Sequence, residues 1–196
     1  MQELKQRIKA EGQNLGDGIL KIDSLLNHQI DAGLIMRCGE ELARRFKDVG
    51  VTRILTAEVS GIAPAFATAY ALGVPLVYAR KIKPITMYGP VYLETAPSHT
   101  KGSEVQLLVA AEFMPGGDRV LIVDDFLASG KTLRSLVRIV RGSKSDLVGI
   151  GCVVEKIFEG GRKALEHYKV PVEALVTITS MDNGEIVFAD ERITTS

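Results

Sequence analysis

The sequence predicts an α/β fold with a mostly parallel central sheet flanked by helices. Three observations predict it. Strand-like and helix-like segments alternate from residue 53 onward. Several of the strand segments are near-continuous apolar runs, the pattern of strands covered on both faces. One of these runs ends in an acidic pair, followed by a small-residue loop that opens a helix. Strands and helices in this order are joined by right-handed crossovers. The 196-residue chain is 46% apolar and 24% charged, which excludes a disordered or low-complexity protein and suits one domain with a sizeable core. Its 24 basic and 24 acidic side chains cancel, which argues against duplex nucleic acid as the main partner.

Taken in order, Leu4 and Ile8 stand one turn apart in a short surface helix that ends at Gly12. GILKI (18–22) is a short apolar piece. Asp31 is an N-cap for a helix in which Leu34, Cys38, Leu42 and Phe46 recur every four residues, and Gly50 closes it. RILTA (53–57) is a buried strand. The loop EVSG leads to an alanine-rich helix closed by Gly73, then to the strand VPLVYAR (74–80). VQLLVAAE (105–112) and RVLIVDD (119–125) read as two more strands around the turn MPGGD. Leu133, Leu136, Val137 and Val140 share one helix face, and LVGIGCVVE (147–155) is a strand buried on both faces. Two regions break the alternation. Residues 82–104 hold three prolines and scattered polar groups, the composition of a lid or binding loop. VEALVTITS and EIVFAD flank Asn183-Gly184 as a hairpin expected to pack apart from the alternating core.

Cys38 and Cys152 fall in apolar patterns and read as small buried hydrophobes. The amino terminus is a charged helix rather than a signal peptide, and no apolar run reaches the ~18 residues that span a bilayer. The expected location is therefore the cytoplasm, with no membrane partner.

The strongest chemical signal is VLIVDDFLASGKT (120–132). The strand delivers Asp124 and Asp125 to its carboxyl end, where open α/β sheets bind ligands. The loop Ala128-Ser129-Gly130-Lys131-Thr132 opens the next helix, whose first N–H groups lack intrahelical acceptors and form a phosphate cradle. Two adjacent carboxylates repel unless a cation or a diol uses them. A P-loop is excluded, because the glycine it needs five positions before Gly130 is Asp125.

Two carboxylates, two hydrophobic residues and a small phosphate loop resemble the phosphoribosyl diphosphate motif of the type I phosphoribosyltransferases. The resemblance implies that family's fold: a mostly parallel sheet flanked by helices, a small hood from the chain ends, and a flexible lid loop. It implies one domain, with a core at about 32–156, a hood from about 1–31 and 157–196, and a lid at about 82–104. Asp124 and Asp125 would hold the ribose hydroxyls, and Ala128 to Thr132 the 5′-phosphate. Ser60 and Gly61, after the first core strand, and Arg80 and Lys81, after the next, would hold the diphosphate together with Mg2+ carried mainly by that substrate. Family members of this type are dimers, so a homodimer is expected.

ILKIDSLLNHQID (19–31) and VVEKIFEGGR (153–162) further resemble the bacterial branch of the family that acts on xanthine. The resemblance assigns Leu20, Asn27 and Lys156 to the base. Lys156 carries only donors and suits a carbonyl oxygen, whereas Asn27 carries both a donor and an acceptor. Ala128 stands where relatives acting on hypoxanthine and guanine carry an aspartate, so no general base is assigned. Glu94 and Glu104 in the lid are candidates to which no role is assigned. The implied reaction is salvage of xanthine with phosphoribosyl diphosphate. The alternatives are another purine base (guanine, hypoxanthine or adenine) or a regulator that senses phosphoribosyl diphosphate. Such a regulator needs a basic face or a winged-helix domain, and neither is legible here.

Overall fold

The computed structural model describes residues 1–97 and 104–189. The order along the chain begins with helix α1 (Gln2–Glu11), strands β1 (Gln13–Asn14) and β2 (Leu20–Lys21), and helix α2 (Ala32–Arg45). Strand β3 (Arg53–Ala57), helix α3 (Ile62–Leu72) and strand β4 (Leu76–Ala79) follow, then strands β5 (Val91–Pro97), β6 (Glu104–Ala110) and β7 (Arg119–Leu127). Helix α4 (Lys131–Gly142), strand β8 (Asp146–Lys156), helix α5 (Gly161–Leu165) and strands β9 (Val172–Ser180) and β10 (Val187–Phe188) complete it.

The main sheet has six strands in the order β10-β9-β8-β7-β3-β4, all parallel except β10, which runs antiparallel to β9. The alternation within β7 shows why its sequence is an unbroken apolar run. Leu121 and Val123 face a cluster with α1, α2 and α3, whereas Val120 and Ile122 face Leu133, Leu136 and Val140 of α4. Asp31 caps α2 as expected, its carboxylate accepting from the Leu34 N–H at 3.0 Å. The GIG segment of β8 is a packing feature: a side chain at Gly149 would overlap the ring of Phe46, which follows α2.

Three expectations are corrected. First, the strand read at 105–112 is present as β6 but lies outside the main alternating sheet: it pairs antiparallel with β5 in a separate two-stranded ribbon. A single bridge, Arg80 to Leu108, ties that ribbon to the end of β4, with both N–H···O distances 2.8 Å. Second, the pattern break at 82–104 contains a strand. Only residues 82–90 lack regular structure, and 98–103 lie outside the described residues. The β5 segment lies between prolines at 90 and 97, and only Ala96 of its described side chains is fully buried, so the sequence reads as a loop. Third, VEALVTITS does not pack apart from the core. As β9 it pairs in parallel with β8, Ile150 opposite Val172, and buries Leu175, Val176 and Ile178.

The amino-terminal segment, called the hood, lies against the carboxyl-terminal end of the chain. β1 and β2 pair antiparallel, and a short π-helical turn (Asp23–Asn27) buries Leu25 and Leu26. The Asn14 side-chain amide donates to the Met181 carbonyl at 2.6 Å and to Glu185 at 3.2 Å, joining the amino-terminal segment to the turn before β10.

Candidate active site

The carboxyl ends of β3, β7 and β8, the hood and the ribbon enclose a cavity of about 620 Å³, within the size range of small-molecule sites. Its floor is the end of β7. Asp124 and Asp125 are both buried, and the Asp125 N–H donates to Asp124 Oδ1 at 3.0 Å. Burial, reinforced by the neighbouring Asp125 charge, holds the Asp124 carboxyl well above the ordinary carboxylate range. Room for this carboxylate depends on Gly61. A Cβ there would overlap Asp124 Oδ1 and Thr56 Oγ1 and would stand 3.1 Å from the Ala57 carbonyl.

The phosphate loop runs from Ala128 into α4. Gly130 takes the left-handed conformation (φ 74°) that lets the chain turn at the helix start. The loop rests on a second glycine that sequence reading missed. Gly161 donates its N–H to the Ala128 carbonyl at 2.9 Å, and a Cβ on Gly161 would overlap that carbonyl. Among the described residues Ser129 Oγ is buried with no protein partner, as is Thr56 Oγ1. An orphaned hydroxyl beside free helix-start amides suits an oxyanion with several acceptor oxygens.

On the β3 side, Ser60 and Lys81 line the cavity and Gly61 starts α3. The Glu58–Val59 peptide is cis. Glu58, absent from the sequence expectations, ties this corner together: it pairs with Arg80 at 2.8 Å and accepts the Lys81 N–H at 2.6 Å. Arg80 is therefore held against Glu58, outside the cavity lining.

On the hood side the structure brings together Leu20, Asn27 and Lys156. Lys156 Nζ donates to the Gly18 carbonyl at 2.9 Å, pairs with Glu159, and lies 5.8 Å from the centre of the Phe126 ring. Phe126, half-buried between the acidic pair and the phosphate loop, offers a flat apolar wall that the motif alone did not reveal. Glu94, a general-base candidate, pairs instead with Arg138 of α4 at 2.6 Å. The side chain of Glu104 lies outside what is described.

Among the described residues no cluster of three or more His, Cys, Asp or Glu could hold a metal ion. A divalent cation bound mainly by substrate oxygens and water, next to the buried Asp124–Asp125 pair, fits this donor set. No helix among the described residues is long and apolar enough to cross a membrane.

With this acidic strand end and helix-start loop at one cavity, the chain belongs to the phosphoribosyl transferase domain family, whose model matches residues 22–191. It is 50% identical over 184 residues to the xanthine phosphoribosyltransferase of Deinococcus deserti, covering 94% of this chain and 95% of that one. The same identity holds over 189 residues with the xanthine phosphoribosyltransferase of Heliobacterium modesticaldum, over 96% of this chain and all of that one. Among solved structures, adenine phosphoribosyltransferase from Thermoanaerobacter pseudethanolicus superposes with a TM-score of 0.73 at 26% identity, over 89% of this chain and 99% of that one.

Proposed function

We propose that this chain transfers the 5-phosphoribosyl group from phosphoribosyl diphosphate to xanthine, giving xanthosine 5′-phosphate and diphosphate. The observation that carries this reading is the donor-only Lys156, which lines the cavity with Asn27 and Leu20 and lies near the Phe126 ring. An ammonium there favours a base with a carbonyl at that edge and opposes the amino group of adenine. The xanthine phosphoribosyltransferases that are 50% identical to this chain support the same choice.

In the reaction, a ring nitrogen of the base attacks the anomeric carbon. The bond from that carbon to the diphosphate oxygen breaks, and the ring N–H proton leaves to solvent. Positive charge develops on the ribose as the bond loosens. Asp124 and Asp125 orient the ribose through its hydroxyls. The amides and hydroxyls of Ala128, Ser129, Gly130, Lys131 and Thr132 hold the 5′-phosphate. Ser60, Gly61, Arg80 and Lys81 receive the diphosphate, and Arg80 exchanges its pairing with Glu58 for the leaving group. Family members generally use Mg2+ with phosphoribosyl diphosphate. In this chain Asp124 and Asp125 are the residues beside which it would sit, neutralising the diphosphate charge when bound. Residues 82–104 act as the lid that excludes competing water.

We also assign a homodimer as the working form, in the cytoplasm. Phe66 and Tyr70, one turn apart on α3, form an exposed apolar patch with Val74 and Leu76 that a second copy would cover, and Cys38 and Cys152 are buried free thiols suited to a reducing compartment. The test is turnover with phosphoribosyl diphosphate and each of xanthine, guanine, hypoxanthine and adenine. Xanthine gives the largest specificity constant, and a larger value for another base overturns the assignment.

A further inference from the structure

The ammonium of Lys156 is held from two sides by groups that the phosphoribosyl-transfer motif does not include. Glu159, one turn further along the 3-10 segment Ile157–Glu159, pairs with it, and the Gly18 carbonyl of the hood accepts from it at 2.9 Å. The two holders are themselves neighbours: a Cβ on Gly18 would lie 3.7 Å from Glu159 Oε1 and 3.3 Å from the Phe158 ring. Both Lys156 and Glu159 line the cavity, with side chains only 12% and 26% exposed. An ammonium has three N–H donors. With one on Glu159 and one on Gly18, a single donor remains for a ligand. A long, flexible side chain that ordinarily samples many rotamers is thus reduced to one donor in a fixed place.

We infer that Glu159 is a positioning residue that sets base selectivity. It locks Lys156 so that its remaining N–H meets a carbonyl of the bound purine, holding the ammonium alongside its hydrogen bond to the Gly18 carbonyl of the hood. The inference rests on the base assignment of Lys156 made above. Because Glu159 acts only through Lys156, the two residues should be coupled, whereas a merely structural Glu159 would add its cost independently.

The experiment is a double-mutant cycle on the full-length protein: wild type, Lys156→Ala, Glu159→Ala and the double variant. For each, KM and kcat are measured with xanthine and with phosphoribosyl diphosphate. Glu159→Ala is expected to lower kcat/KM for xanthine about 10-fold, the cost of loosening one charged hydrogen bond, while KM for phosphoribosyl diphosphate stays within about twofold. The double variant is expected to be no worse than Lys156→Ala alone. Glu159→Gln, which keeps an oxygen acceptor, is expected to recover most of the loss. Additive losses, or a parallel rise in KM for phosphoribosyl diphosphate, overturn the inference. So does a silent Glu159→Ala beside a damaging Lys156→Ala, which leaves the base assignment standing. A silent Lys156→Ala overturns both. A thermal melt of each variant separates these outcomes from loss of fold.

Discussion

Gly61→Ala isolates one contact at the centre of the site. Gly61 has φ −67° and ψ −19°, a conformation any residue adopts, so the substitution strains no backbone. Its whole effect comes from the new methyl group, which has no space: it overlaps Asp124 Oδ1 and Thr56 Oγ1 and approaches the Ala57 carbonyl to 3.1 Å. Overpacking of this kind costs about 1–3 kcal/mol. Thr56 is fully buried on β3 and cannot retreat, so the Asp124 carboxylate is the group that moves. If Asp124 orients the ribose, the same cost appears as a rise of about 5- to 150-fold in KM for phosphoribosyl diphosphate, at 1.36 kcal/mol per factor of ten. Initial-rate kinetics at saturating xanthine measure this, with circular dichroism confirming the fold. Adding Thr56→Ala removes one of the two colliding oxygens and is expected to restore part of the affinity. A folded Gly61→Ala variant with unchanged KM would refute the argument that this glycine exists to admit the carboxylate.

Other outcomes follow from the same geometry. Glu155 is almost fully buried and is held by Arg162 through two hydrogen bonds of 2.7 and 2.6 Å, so Arg162→Ala strands a charge and costs about 3–5 kcal/mol. That is a drop of roughly 6–20 °C in Tm for a chain of this size, and a drop under about 2 °C contradicts it. Burial gives the folded-state Asp124 carboxyl a higher proton affinity than in the unfolded chain, so ionising it erodes stability as pH rises above the ordinary value of 3.8. Asp124→Asn has no such proton, and its Tm advantage over wild type widens as pH rises from about 4; a flat difference contradicts the raised proton affinity. Tyr88, 77% exposed in the segment before β5, is open to chymotrypsin in the free protein. Phosphoribosyl diphosphate, magnesium and a base analogue together slow cleavage there if residues 82–104 close over the site, and equal rates count against closure.

The parts of this site legible in the sequence are those that are contiguous. Strand β7, the acidic pair, the phosphate loop and α4 lie within one short run, and each local signal there agrees with the others: apolar alternation, carboxylates at the strand end, glycine at the turn. What the sequence hid depends on contacts between distant segments. Gly161 supports the phosphate loop only because α5 begins beneath Ala128. Glu58 is unremarkable in a loop until β4 ends beside it and presents Arg80. The strand character of VEALVTITS was legible, but its partner was not, because pairing with β8 is set by the crossover through α5 rather than by any local residue. The ribbon was obscured for the opposite reason: β5 and β6 are neighbours in sequence, but β5 is half-exposed and ends in Pro97, which reads as a loop.

The central claim is that the cavity reads a purine carbonyl through Lys156. The most direct test is the specificity constant for xanthine, guanine and adenine in wild type and in Lys156→Ala. Losing the donor leaves a carbonyl oxygen unpaired in a partly closed site, which costs about 1–3 kcal/mol, or roughly 5- to 150-fold for xanthine. Adenine, poor in the wild type, does not fall further. Unchanged xanthine turnover in Lys156→Ala, or adenine as the best wild-type substrate, contradicts the account.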